Sequence, residues 1–214
     1  MSTARTKLPM SLKVAYSIFM AIFIPCYWSS YGPTNFLYFC DVALFITLIA
    51  IWRENALLAS AAAVGILIPQ LLWVIDFSLR FIGAAPTGMT AYMFDDNIAV
   101  FYRGLSLFHG WLPFLLLYMV WRLGYDRLGL WFWTVTAEIL LLVSYFFLPA
   151  PTGSPRIAGV TNPPVNVNYV FGLSDAAPQA WMPELAWLAL LMIGLPLLIF
   201  LPTHYGLKKW RAAS

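Results

Sequence analysis

Apolar residues run through this chain in stretches of about twenty, broken by short clusters of charge, proline and glycine rather than alternating with polar positions. A bilayer core takes about 20 residues of helix to cross, so each such run predicts a transmembrane helix. Six are predicted, over residues 12–29, 34–52, 56–82, 104–121, 128–148 and 181–202. Pro25, Pro69, Pro113 and Pro196 fall inside them. Each removes a backbone donor and is expected to kink its helix, which a membrane bundle tolerates when neighbours re-satisfy the freed carbonyl. The pattern implies an all-α protein, a polytopic membrane helical bundle filling residues 1–214 as a single transmembrane domain. No repeat or second soluble domain shows.

Composition sharpens this. The chain is 62% hydrophobic and only 10% charged, less than half the roughly 25% that a water-facing surface needs. The first run, behind Arg5, Lys7 and Lys13, has a signal-peptide-like start, but no small-residue cleavage pattern follows, so it reads as an uncleaved first helix.

The basic residues divide unevenly between the two sides. One side collects Arg5, Lys7, Lys13, Arg53, Arg122, Arg127, Lys208, Lys209 and Arg211; the other holds Arg80, Arg103 and Arg156. Basic loops resist translocation, so the expectation is that both termini are cytoplasmic. Trp28, Trp52, Trp121, Trp181 and Trp210 near span ends fit an aromatic belt. The longer connections, 83–99 and 149–180, then face outward. The second is rich in Pro and Asn (Pro151, Pro155, Asn162, Pro163, Pro164, Asn166, Asn168), and a loop of that length is usually a lid or binding loop.

The net charge of +3 sits at membrane edges rather than in a basic patch, which argues against nucleic acid as a partner. Phosphate loops and zinc-hydrolase motifs are absent, and nothing implies a cofactor. Membrane lipid is the expected partner, with a homo-oligomer or a membrane complex left open.

An ionisable group within a span is costly unless it meets a partner or water. On the predicted topology Cys40 and Asp41 lie about six residues, or ~10 Å, below the outer face, and His109 lies at a similar depth. Asp76 and Arg80 are spaced i,i+4, which places them on one helix face. Arg103 precedes the fourth span on the same side. These six form one outer layer, while Gln70 and Glu138 sit deeper.

Two accounts of this layer stand. In one, Asp76–Arg80 is an interfacial ion pair, Arg103 snorkels to headgroups, and Asp41 and His109 satisfy each other as bundle glue. In the other, the residues line an outward polar pocket reached from the lipid. A nucleophilic Cys40 would need His109 as its base, with an arginine to assist. Glu138 reads as a helix-packing hydrogen bond and His204 as an interfacial residue. A metal held by Cys40, Asp41 and His109 would have too few ligands, so no metal site is expected. A Cys26–Cys40 disulfide, which would silence Cys40, remains open.

Three stretches read together: Asn35 to Phe45 (Asn-Phe-Leu-Tyr-Phe-Cys-Asp-Val-Ala-Leu-Phe), Phe108-His109-Gly110-Trp111, and Asn166-Val167-Asn168-Tyr169. In order and spacing they resemble the YwaF-type bacterial integral membrane proteins, and more distantly the androgen-induced intramembrane fatty-ester hydrolases and a related cysteine-dependent transmembrane phospholipid acyltransferase. The resemblance covers most of the chain from the second span onward. It departs where Tyr38 and Phe39 stand in place of an expected histidine before the cysteine.

What the resemblance implies is a multi-pass lipid enzyme of a bacterial inner membrane, with Cys40 as nucleophile and His109 as base. Asn35, Asp41, Asp76, Arg80, Arg103, Asn168 and Tyr169 would then contact substrate. Asn168 and Tyr169 would lie by the pocket mouth, and Arg80 and Arg103 would hold a phosphate. The activity so implied is lipid acyl hydrolysis or acyl transfer. The alternative is a non-enzymatic protein, either a lipid- or pigment-binding subunit or a small transporter.

Overall fold

In the computed structural model the described residues are 8–84, 86–151, 160 and 162–213; Arg5, Lys7, Pro155 and Arg156, which entered the reading above, lie outside them. The described residues are helical, with no strand. The helices are Met10–Tyr31 (α1), Phe39–Arg53 (α2), Ala56–Arg80 (α3), Val100–Ser106 (α4), Phe108–Leu123 (α5), Gly129–Phe147 (α6), Glu184–Leu195 (α7) and Leu201–Ala213 (α8). Helix α4 runs on through Leu107 into α5. Helices α7 and α8 are joined by a π-helical stretch, Pro196–Phe200, in which the Leu201 N–H reaches the Pro196 carbonyl. Proline has no amide and its ring crowds the preceding turn, so widening there is one way to keep the rod continuous.

Five rods are long and apolar enough to cross a membrane: α1, α3, α4–α5, α6 and α7–α8. Helix α2 has 15 residues, or ~22 Å at 1.5 Å per residue, short of a full crossing. The start of the predicted second helix therefore moves. Residues 33–37 form a 3-10 turn and Tyr38 is extended, so the α-helix starts at Phe39. Cys40 and Asp41 lie in its first turn, not six residues along it. The last rod continues through Pro202 to Ala213, beyond its predicted end.

Helix α3 is the hub and packs against α2, α5, α6 and α8. The run Ala59-Ser60-Ala61-Ala62-Ala63-Val64-Gly65 is wholly buried. Small side chains let backbones approach closely, which is how helices associate where lipid supplies no hydrophobic drive. A Cβ on Gly65 would fall 1.8 Å from the Trp133 indole, and one on Gly129 would fall 2.9 Å from the Ala61 amide nitrogen. Large apolar side chains such as Leu71, Phe114, Val135, Phe147 and Leu198 point outward, as lipid contact requires.

Contacts sort the helix ends into two groups. Lys13 Nζ meets Glu54 Oε1 at 2.7 Å, Ser60 Oγ accepts the Asp126 N–H at 2.9 Å, and Tyr125 Oη pairs with His204 Nδ1 at 2.7 Å. These gather at what we term the Arg53 end, where the start of α1 and the end of α8 both lie. Tyr27 Oη pairs with Ser106 Oγ at 2.6 Å, and the Asn162 N–H reaches the Ser30 carbonyl at 2.9 Å. These belong to the opposite, Arg80 end, where the candidate residues gather.

Candidate functional site

At the Arg80 end, α1 closes on Gly32 at φ 79°, a backbone that glycine tolerates, and Pro33 opens the 3-10 turn that carries Asn35. Asn35 Nδ2 donates to Asp41 Oδ2 at 2.6 Å, and both residues are buried. The half-buried Cys40 faces the other carboxyl oxygen, with Sγ 4.0 Å from Asp41 Oδ1. Four phenols lie in this neighbourhood. Tyr27 is within electrostatic reach of Asp41, Tyr38 of both residues, and Tyr92 and Tyr169 of Cys40.

His109 stands in the first turn of α5. Its Nδ1 is 2.8 Å from the Ser106 carbonyl oxygen, which can only accept, so Nδ1 carries the proton. The ring stacks on Trp73 at 4.8 Å between centroids and lies 4.0 Å from the Phe108 ring, tilted by 32°. Trp73 Nε1 in turn donates to Tyr92 Oη at 3.2 Å. Ser106 also binds Tyr27 through its hydroxyl, so one residue ties the imidazole to the phenol ring around Asp41. Among the described residues no hydrogen bond joins His109 to Cys40 or Asp41, and its Nε2 has no partner. Trp73 links the imidazole to Tyr92, which is within electrostatic reach of Cys40.

Asp76 does more than pair with Arg80. It accepts from the Thr87 N–H at 2.9 Å, the Thr87 hydroxyl at 2.7 Å, the Thr90 N–H at 3.2 Å and the Thr90 hydroxyl at 2.5 Å. Arg80 Nε donates to Thr90 Oγ1 at 3.0 Å and lies 3.7 Å from Asp76 Oδ2. Arg103 Nη1 donates to the Met93 carbonyl at 3.2 Å and lies 4.0 Å from Asp96 Oδ1. All three thus fasten the segment that carries Tyr92. Burial pushes the Tyr92 phenol above its ordinary range.

Asn168 and Tyr169 close the far side. Asn168 Oδ1 accepts the Phe39 N–H at 3.0 Å, and Nδ2 donates to the Leu37 carbonyl at 2.9 Å and to Ser144 Oγ at 3.2 Å. The amide is spent on joining α2 to α6. The Tyr169 carbonyl accepts Trp187 Nε1 at 2.8 Å. Burial, then the Asp175 carboxylate and the Cys40 sulfur, push the Tyr169 phenol up to about 12.

Cys26 and Cys40 are free thiols, with no disulfide. Glu138 Oε2 is buried without a hydrogen-bond partner among the described residues, in place of the packing bond expected of it; Gln70 Oε1 is likewise unpartnered. His204 is buried against Tyr125 at the Arg53 end. No cluster of three or more metal-ligating residues occurs among the described residues. Sequence reasoning missed Tyr27, Trp73, Tyr92, Ser106 and Ser144. Each is an ordinary residue in an aromatic-rich chain, and only long-range contacts single it out.

Compared with protein-family models, curated proteins and solved structures, the chain matches none.

Proposed function

We propose that the chain acts on acyl esters of membrane lipid, as a hydrolase or acyltransferase, with Cys40 as nucleophile and His109 as base. The observation that supports this reading is the state of His109. Its Nδ1 proton is committed to the Ser106 carbonyl, which leaves Nε2 as an unspent acceptor on a half-buried ring. In the proposed reaction Nε2 takes the Cys40 proton and the sulfur bonds to the ester carbonyl carbon. The acyl carbon–oxygen bond then breaks, the alcohol leaving with the imidazolium proton. Water or a lyso-lipid hydroxyl next attacks the thioester, giving hydrolysis or transfer and restoring the thiol.

The mechanism requires the thiol and Nε2 to close on each other when ester binds, a tightening that catalytic contacts commonly undergo between the free and substrate-bound states. The test is turnover of phospholipid in mixed vesicles, read beside the intact mass of the protein. Cys40→Ala and His109→Gln are expected to lose turnover while staying folded, and an acyl adduct is expected on wild type alone. Equal turnover by Cys40→Ala would overturn the reading. Its proposed setting is a bacterial inner membrane with both termini cytoplasmic.

A second reading is a non-enzymatic lipid- or pigment-binding subunit or small transporter. It is favoured by the side-chain hydrogen bond of the thiol, among the described residues, going to a carboxyl oxygen at 4.0 Å rather than to an imidazole nitrogen. A stoichiometric partner or pigment retained on purification, with no acyl adduct on Cys40, would support it.

A further inference from the structure

At the Arg80 end lies a cleft of about 220 Å³ lined by Arg80, Gly83, Ala84 and Phe94. A guanidinium has five N–H donors in a planar fork, and Arg80 spends one of them, through Nε, on Thr90. Asp76 receives four hydrogen bonds from Thr87 and Thr90, so it meets Arg80 only as a charge 3.7 Å from that same Nε. The two Nη groups have no hydrogen-bond partner among the described residues. The guanidinium carbon lies 5.8 Å from the centre of the Phe94 ring, which steadies the plane of the fork.

The neighbouring acids do not fill the cleft: Asp95 holds the Asn97 amides and Asp96 is fully exposed beside Arg103. Next to it, Phe81 and Ile82 are 70% and 77% exposed. They form an apolar ledge where α3 ends, at the level where a span meets the headgroups.

From this we infer that the cleft binds the phosphodiester of an anionic membrane lipid, with Arg80 Nη1 and Nη2 donating to two phosphate oxygens and the acyl chains lying along Phe81 and Ile82. Paired N–H donors matched to two phosphate oxygens are the strong form of such a contact. The apolar ledge favours a lipid phosphate over a free one. Arg103, bound to the Met93 carbonyl, does not line the cleft. The site gives a headgroup class to the lipid of the proposed function, but it stands on its own geometry: anionic lipid bound without acyl turnover would leave it intact and remove only the Cys40 chemistry.

The experiment uses the full chain in neutral detergent, titrated with phosphatidylglycerol, with phosphatidylcholine of the same chains and with inorganic phosphate, and read by native mass spectrometry. Wild type should bind one phosphatidylglycerol at least about tenfold more tightly than phosphatidylcholine, whose choline cation is repelled by the same Arg80 charge that attracts the phosphate, and excess phosphate should not displace it. Arg80→Gln should lose that preference. Ala84→Trp, whose exposed side chain fills the cleft without touching the Asp76–Thr90 contacts, should lose it too, with unfolding temperature kept. Unchanged preference in Ala84→Trp, or equal affinity of wild type for the two lipids, would overturn the site. Displacement by phosphate would overturn its assignment to lipid.

Discussion

The side-chain oxygen of Asn168 accepts the backbone N–H of Phe39 at 3.0 Å, across 129 residues of sequence. Phe39 is the first residue of α2, and the opening amides of a helix have no partner within it. Asn168 supplies one from a distant loop, and its amide donates onward to Leu37 and to Ser144 on α6. The turn that presents Cys40 and Asp41 is therefore held in place by the loop between α6 and α7.

Asn168→Ala removes three hydrogen bonds and strands the Phe39 amide. At roughly 1 kcal/mol for each net bond, a loss of about 2–3 kcal/mol is expected. Ser144→Ala removes one bond and should cost about 1 kcal/mol. Denaturant titration in detergent separates the two, and equal small losses would show that Asn168 does not organise the turn.

Gly65→Ala places a methyl within 1.8 Å of Trp133, which the rigid indole relieves only by pushing α6 from α3. Overpacking typically costs about 1–3 kcal/mol, and the upper part of that range is expected, with a change in tryptophan fluorescence. Pairing it with Trp133→Leu should recover part of the loss. No recovery would place the strain elsewhere.

Tyr169 has its phenol raised to about 12, against roughly 10 in an unfolded chain. The folded state holds that proton more tightly, so its contribution to stability is full below pH ~10 and is lost as pH rises toward the folded value. Phenolate absorbance of wild type minus Tyr169→Phe should show a group titrating well above the ordinary range. Titration near 10 would contradict the burial.

Sidedness is tested by single cysteines in a background lacking Cys26 and Cys40. A cysteine at Asn97 should react with an impermeant maleimide added outside intact cells, and one at Lys209 should react only after lysis, as the excess of basic residues at the Arg53 end requires. The reverse pattern would invert the orientation.

Much of the helical layout was legible because it depends on run length. Stretches such as 56–82 and 128–148 have no soluble alternative, and the observed α3 and α6 match them within a few residues. The start of the second helix was misread because hydropathy does not register backbone geometry: Pro33 and the extended Tyr38 set a 3-10 turn within an apolar run. The i,i+4 pairing of Asp76 and Arg80 followed from helix periodicity alone. That Asp76 also binds Thr87 and Thr90 did not, since a loop's return onto its helix has no period to reveal it.

By itself the sequence determined a helical membrane protein, the grouping of its basic residues and the short-range pair on α3, because each follows from local length, composition or spacing. The tertiary structure alone decided that Asp41 meets Asn35, that His109 meets Ser106 and Trp73 rather than Cys40, and that Asn168 joins α2 to α6. Those partners depend on helix rotation and loop path, which many apolar sequences of the same pattern would set differently.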